Sequence, residues 1–395
     1  MCVRGSKLFL LVLLAFSLPF GAGARQAVTA TVRTMPPVTL PVFMRSFAFA
    51  SENMGQITIT GTTFDPAFPD DENRYSVATL RYNTAGRRLW VTPFDGHGLE
   101  DQASQASFDG KGNFFVTGFS EFATNAFEAV TLKYTKTGAP VWTNRFQADP
   151  SFTTGLSVAE DGHGNTAVIV RTFTNNILAK LDKDGALVWQ ADLGQPAPTS
   201  GLAVYVATFD RPGNVLVSGT GYSVDGLSNS VVQTIKFSPR GVALWTNRYD
   251  ESLRARPTGI ITDRHGQSFV VVAAAPSSPQ WGVVSYGPGG RQQWSKFLDS
   301  GPLDVGPSAL TIDRLGSIYM GGTTSTGAVR VVKFRNNGQL RWDRNKATPI
   351  SGESSLRFGR VTPHQLTVFQ DGVTPGTVTP EPIWTRVQIR YVGGL

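Results

Sequence analysis

The chain has 395 residues, 36 Lys+Arg against 29 Asp+Glu, a formal net charge of +7 and one cysteine. One cysteine excludes a disulfide-stapled scaffold and a thiolate metal cluster, so stability has to come from a packed core, for which this length is ample. The positive balance is thin and no Lys/Arg block forms a nucleic-acid footprint, which sets nucleic acid aside as a partner.

In chain order, the first 24 residues read as a secretory signal peptide. Arg4 and Lys7 give a positive start, Leu8 to Phe20 an apolar run, and Ala22-Gly23-Ala24 small residues for cleavage. The run is shorter than the roughly 20 residues a membrane span needs, so no span is expected after cleavage. Removing the two basic residues lowers Lys+Arg from 36 to 34 against 29 Asp+Glu, so the net charge falls from +7 to +5. Cys2 leaves with the same segment, and a secreted, periplasmic or cell-surface protein without cysteine is expected.

Next comes a strand-like stretch, "AVTATVRT", Ala27 to Thr34. From about residue 40 to 347 one pattern repeats six times. Each unit ends on a tryptophan, at positions 90, 142, 189, 245, 294 and 342, preceded by a Gly-containing turn such as "TKTGAPVW" or "DKDGALVW". Upstream in each unit lies a second turn: "ENMGQ", "DGKGN", "DGHGN", "DRPGN", "DRHGQ" and "DRLGS". Alternating apolar runs flank both turns. Two hairpins per unit give four short strands in about 50 residues, with no helical periodicity between them. A four-stranded sheet cannot bury both faces alone, so radial stacking into a β-propeller is expected.

A last unit, from about 353 to 395, supplies three strands and then stops. The stretch at 27–34 is the candidate for its missing fourth. The fold expected is all-β: a seven-bladed propeller of four-stranded antiparallel blades, one domain over 25–395, closed by the N-terminal strand. The tryptophans are expected to pack between blades.

The sequence "DGKGNFFVTG…AVTLKYTKTGAPVWTNRF" resembles the bacterial β-propeller repeat family of the SBBP type, and the resemblance spans nearly the whole chain after the leader. It implies an exported propeller and brings no shared catalytic residue. The Gly turn before Trp is also similar to the docking motif of quinoprotein propellers, without the recurring acidic constellation of their quinone pocket. Kelch and WD patterns fall in register at single places only, and Asp boxes are absent in register.

No catalytic motif of fixed spacing is present. The recurring Asp109, Asp161, Asp210, Asp263 and Asp313 head their turns, where Asp accepts backbone amides two residues on. His163, His265 and His364 occupy equivalent turns of separate units. Asp65, Asp70, Asp71 and Glu72 form an acidic insertion of the oxygen-rich kind calcium uses, at a spacing that fits no calcium loop, and read as a solvated loop. No metal or cofactor is expected.

Loops linking the blades, and those between second and third strands, share one face and vary in length. Variable loops on a rigid scaffold are where binding concentrates. On that face Arg254, Arg256 and Asp304 are the candidate ligand-binding residues, the two guanidiniums suited to carboxylate or sulfate through forked hydrogen bonds. The function expected is a non-enzymatic binding or structural module for polysaccharide or an extracellular protein. The alternative is a carbohydrate-active hydrolase or lyase with a site at the mouth of the channel.

Overall fold

Each repeat is made by two turns that need left-handed backbone at one residue, and glycine supplies it. In the turn before tryptophan, Gly138, Gly185, Gly241, Gly290 and Gly338 lie at φ 82–87°. The ladder then slips by one residue, as between Lys180 and Leu181 opposite Trp189 and Leu187. This bulge leaves Val188 exposed and turns the Trp189 ring toward the neighbouring sheet.

The structure, a computed structural model, describes residues 31–34, 38–39, 44–51, 57–64, 75–83, 87–194, 205–222, 230–249, 255–274, 280–299, 306–323, 328–346, 356–362, 365–373 and 382–390. They form strands and turns, and among them no helix is long and apolar enough to cross a membrane. Six four-stranded antiparallel sheets follow in chain order, each with its strands in sequence order. In the second unit these are Asp101–Phe108, Phe114–Ala123, Ala126–Tyr134 and Pro140–Phe146.

The expectation of seven four-stranded blades is corrected: six sheets have four strands, and the remaining one has five. The last unit supplies only Leu356–Thr362, Gln365–Val373 and Pro382–Arg390, and two N-terminal segments rather than one pair with the edge of Pro382–Arg390. Thr31 pairs with Arg390 and Thr34 with Val387, while Val38 pairs with Trp384. Residues 27–30 lie outside the described ones.

The first strands of consecutive sheets adjoin one another, which places them around the axis and the tryptophan-bearing fourth strands outermost. Third strands are buried along nearly their whole length and fourth strands alternate, as in Tyr75–Tyr82 and Arg88–Phe94. Apolar clusters therefore span sheet pairs: Phe269, Trp281 and Val283 pack with Ile318, Met320 and Phe334 of the next sheet.

The joint between sheets is the same chemistry repeated. Trp90, Trp142, Trp189, Trp245 and Trp294 donate their indole N–H to a carbonyl in the Gly turn of the next sheet, at 2.8–3.3 Å. The turn glycine lies flat on the ring: a Cβ there would stand 2.6–2.8 Å from an indole carbon. At three joints a residue two places after the tryptophan, Thr92, Asn144 or Asn247, donates to the carbonyl of that glycine. Lys133, Lys180 and Lys236 on the third strands reach the same carbonyls as the neighbouring tryptophans.

Candidate functional site at the inner-strand turns

A cavity of about 780 Å³ opens where the first strands run into their Asp-x-x-Gly turns, and five consecutive repeats line it. Its wall includes the last residue of four first strands, Glu160, Phe209, Thr262 and Ile312. The turns Asp161-Gly162, Asp210-Arg211, Asp263-Arg264-His265 and Asp313-Arg314-Leu315 form the rim, with Gly110 and Asn336.

The aspartates serve the backbone. Asp109 Oδ1 accepts the amides of Lys111 and Asn113, both at 2.8 Å, and Asp263 Oδ1 those of His265 and Gln267 at 2.8 and 2.9 Å. Asp313 does the same for Leu315 and Ser317. Asp210 accepts only the Asn214 amide at 2.9 Å, because Pro212 has no N–H to offer. The other oxygen is held from behind: Asn113, Asn165 and Asn214 donate to it, and Lys236 forms a buried ion pair with Asp210 Oδ2 at 2.8 Å. In the fifth repeat Ser285 stands where the lysine is elsewhere, and Gln267 Nε2 donates to Ser285 Oγ at 2.7 Å.

Two departures from the repeat face the cavity. Glu160 occupies a strand end that is Phe108, Phe209, Thr262 or Ile312 in neighbouring repeats, and its Oε2 accepts the Gly162 amide at 2.5 Å. Gly162 is left-handed at φ 76°, unlike the first residue of the other Asp turns, so Glu160 and Gly162 shape this turn together. Burial, helped by the negative charges of Asp109 and Asp161, pushes the Glu160 carboxyl up to about 7 despite that hydrogen bond. The second departure is arginine directly after the Asp in three consecutive repeats. Arg211, Arg264 and Arg314 are exposed and line the mouth, while Gly110 and Gly162 hold that position on the other side. Arg264 Nε donates to His265 Nε2 at 3.0 Å. Arg211 and Arg314 have no hydrogen bond or ion pair to any other described residue.

Of the candidates read from the loops, Arg256 is the one among the described residues. Arg256 is exposed at the start of strand Arg256–Thr262, whose last residue Thr262 lines the cavity. Six steps at ~3.3 Å put the two ends about 20 Å apart, so the structure does not bring Arg256 to the cavity. Arg254, Asp304, the acidic Asp65, Asp70, Asp71 and Glu72, and His364 lie outside the described residues. His265 lines the cavity, and His163 sits two repeats away in the turn at 161–165. No cluster of three metal-ligating side chains occurs among the described residues.

The blade-linking face carries its own arrangement. His97 Nε2 lies 2.9 Å from Glu128 Oε1, and Arg145 contacts both. Beside them burial pushes the Asp101 carboxyl up to about 6, although its Oδ2 accepts the Gly96 amide at 2.7 Å. A row of rings, Phe119, Phe127, Phe152 and Phe173, crosses from the second repeat to the third at centroid spacings of 5.2, 6.1 and 4.8 Å. Nothing local in the sequence marks these four rings as neighbours.

No family model matches the chain, and no curated protein matches it. Solved structures do. The WD40 domain of coronin from Toxoplasma gondii is 11% identical, with a TM-score of 0.58, over 92% of this chain and 87% of that one. A protein from Lactobacillus plantarum is 11% identical, with a TM-score of 0.52, over 86% and 100%. The α-L-arabinofuranosidase Arb93A from Fusarium graminearum, solved with an iminosugar inhibitor, is 10% identical, with a TM-score of 0.51, over 90% and 97%. At these identities the likeness establishes the fold alone: the chain is a β-propeller.

Proposed function

We propose that the chain is an exported, non-enzymatic seven-bladed β-propeller that works as a binding module, with its ligand seat in the cavity at the Asp-x-x-Gly end of the channel. The observation that carries this is the use of the carboxylates around that cavity. The aspartates of the rim hold their own turns together through backbone amides, which leaves Glu160, among the described residues, as the carboxyl that lines the cavity from a strand end rather than from the head of a turn. A seat built from one carboxyl, guanidiniums and apolar strand ends suits recognition. A hydrolase of the two-carboxylate kind needs a second free carboxylate 5–10 Å away.

Seven blades are favoured by the pairing of Thr31–Thr34 with Pro382–Arg390 and by the contact of Leu356–Thr362 with Met44–Ser51, the first strand of the first sheet. Export is favoured by the leader-like residues 1–24, and the SBBP resemblance agrees with both readings. Polysaccharide is the ligand class that a mildly basic exported surface favours.

The test is a polysaccharide array, followed by product analysis on every glycan retained. Retention without new chain ends, abolished by Gly110→Tyr, is the expected result. Gly110 has open space beyond its missing Cβ and occupies the turn position where other repeats carry arginine, so tyrosine narrows the mouth without straining the turn. New chain ends, sensitive to Glu160→Gln, would show an enzyme instead.

A further inference from the structure

In a repeat protein the residues that every blade shares hold the ring together, and those that only some blades carry are free to specify a ligand. In the Asp-x-x-Gly turns the aspartate, the glycine and the hydrogen bond between them recur: Gly112, Gly213, Gly266 and Gly316 each donate to the carbonyl of their Asp at 3.0–3.2 Å. Outside the third repeat, where Gly162 donates to Glu160, the backbone of the residue after the aspartate makes none of these turn bonds. It is glycine in the second and third repeats and arginine in the fourth, fifth and sixth. Three guanidiniums therefore line the mouth from consecutive repeats, and among the described residues Gly110 and Gly162 leave the same position without a side chain.

The charges of Arg211 and Arg314 are not consumed by the acids of their own turns. Asp210 is neutralised from behind by Lys236, and Lys333 Nζ stands 3.5 Å from Asp313 Oδ2, so both turn acids already have a cation on the side away from the cavity. Below the guanidiniums the wall turns apolar at Phe209 and Ile312, and Leu315 beside Arg314 is 56% exposed. Across the mouth stands the carboxyl of Glu160.

We propose that this cavity binds a saccharide bearing carboxylate groups, a uronate chain, whose carboxylates are clamped by Arg211, Arg264 and Arg314 while a sugar face rests on Phe209, Ile312 and Leu315. A planar carboxylate matches the two parallel N–H groups of a guanidinium. It is also the anion that can share a proton with Glu160 on the opposite wall, which a sulfate cannot. The open space at Gly110 and Gly162 gives the chain room to enter. This assignment rests on the cavity being the ligand seat, as proposed above.

The experiment titrates the full chain with oligogalacturonate, with neutral galacto-oligosaccharide of equal length and with a sulfated glucan, by calorimetry at pH 6 in low and high salt. Binding of oligogalacturonate, weakened about tenfold by each of Arg211→Ala, Arg264→Ala and Arg314→Ala and at least 100-fold by the triple variant, is expected. Arg264→Lys should recover only part of the loss, because it keeps the charge without the fork. Circular dichroism and the melting midpoint of the triple variant should match the parent, since these side chains project from the turns. No oligogalacturonate binding, or equal binding of the sulfated glucan, overturns the carboxylate assignment. Neutral oligosaccharide binding that is blocked by Gly110→Tyr and indifferent to the arginines overturns it too, while leaving the seat in place. Oligogalacturonate binding unaffected by both Gly110→Tyr and the triple variant overturns the seat itself.

Discussion

At the Asp-x-x-Gly end of the inner strands the chemistry recurs from blade to blade, whereas at the blade-linking end each loop has its own length and residues. The recurring end nevertheless carries the cavity, and the variable end carries an ion cluster and a row of rings. The difference teaches that variability among loops does not by itself locate a site in a repeat protein. What locates it here is a residue that differs between repeats at a position most of the turns do not need, such as Arg or Gly after the turn aspartate.

The comparison breaks most sharply on stability. Asp210→Ala should cost about 3–5 kcal/mol, because it strands the buried Lys236 ammonium as well as releasing the Asn214 amide. Asp263→Ala removes turn bonds of the same kind in a repeat where Ser285 replaces the lysine, and should cost only about 1–2 kcal/mol. Urea midpoints of the two variants check this. Equal losses would mean that the ion pair adds nothing to the turn.

A second test concerns the joints. Trp142→Ala should cost about 3 kcal/mol, toward the low end for an aromatic truncation because the ring is only half-buried. Gly185→Ala attacks the same joint from the other side: its φ is 85°, and the new Cβ would stand 2.7 Å from the indole. Part of that clash vanishes when the ring is gone, so the double variant should cost less than the two losses added. Strict additivity in a denaturation cycle would show that the ring and the glycine do not press on one another.

Much of this joint was legible in the sequence. The Gly-x-x-x-Trp spacing marks a hairpin turn with the tryptophan early in the strand that follows, which reads as a ring packed between blades, whereas the bulge that aims the ring is seen only in the ladder. The aspartates were legible as turn residues for an equally local reason. The five-stranded last sheet was not, because the pairing of Val38 with Trp384 joins segments some 350 residues apart and leaves no local pattern. The cavity was not read either, although "DRPGN", "DRHGQ" and "DRLGS" sit in plain view. Which side chains of a turn face the axis depends on how first strands gather around it, a fact about several sheets at once rather than any one of them.

Acidity offers a subtler test. The Glu160 carboxyl is raised from its ordinary 4.5 to about 7, so between those values the folded state holds a proton that the unfolded chain has released. Stability should therefore fall as pH rises through that window and level off above it. Glu160→Gln should remove about 1 kcal/mol of that fall, less than the full conversion at ~1.4 kcal/mol per unit because solvent reaches the group. Melting midpoints at pH 5 and pH 8 measure it. A variant with the same pH dependence as the parent would show that Glu160 titrates normally, which would weaken its role as a proton-sharing wall.

The smallest expected effect bears most directly on the two ends. Phe173 is 66% exposed and closes the row of rings at the blade-linking end, so its ring is held by little beyond Phe152. Phe173→Ala should change stability by less than about 0.5 kcal/mol, as surface substitutions do. Its effect on glycan affinity separates the ends cleanly, because the cavity lies at the far end of the inner strands and shares no residue with the row. Unchanged oligogalacturonate affinity in Phe173→Ala, beside the loss in the arginine variants, keeps binding at the recurring end. A greater loss from Phe173→Ala than from the three arginines would transfer it to the variable end, where an exposed ring stacks on a sugar face in place of a guanidinium clamping a carboxylate.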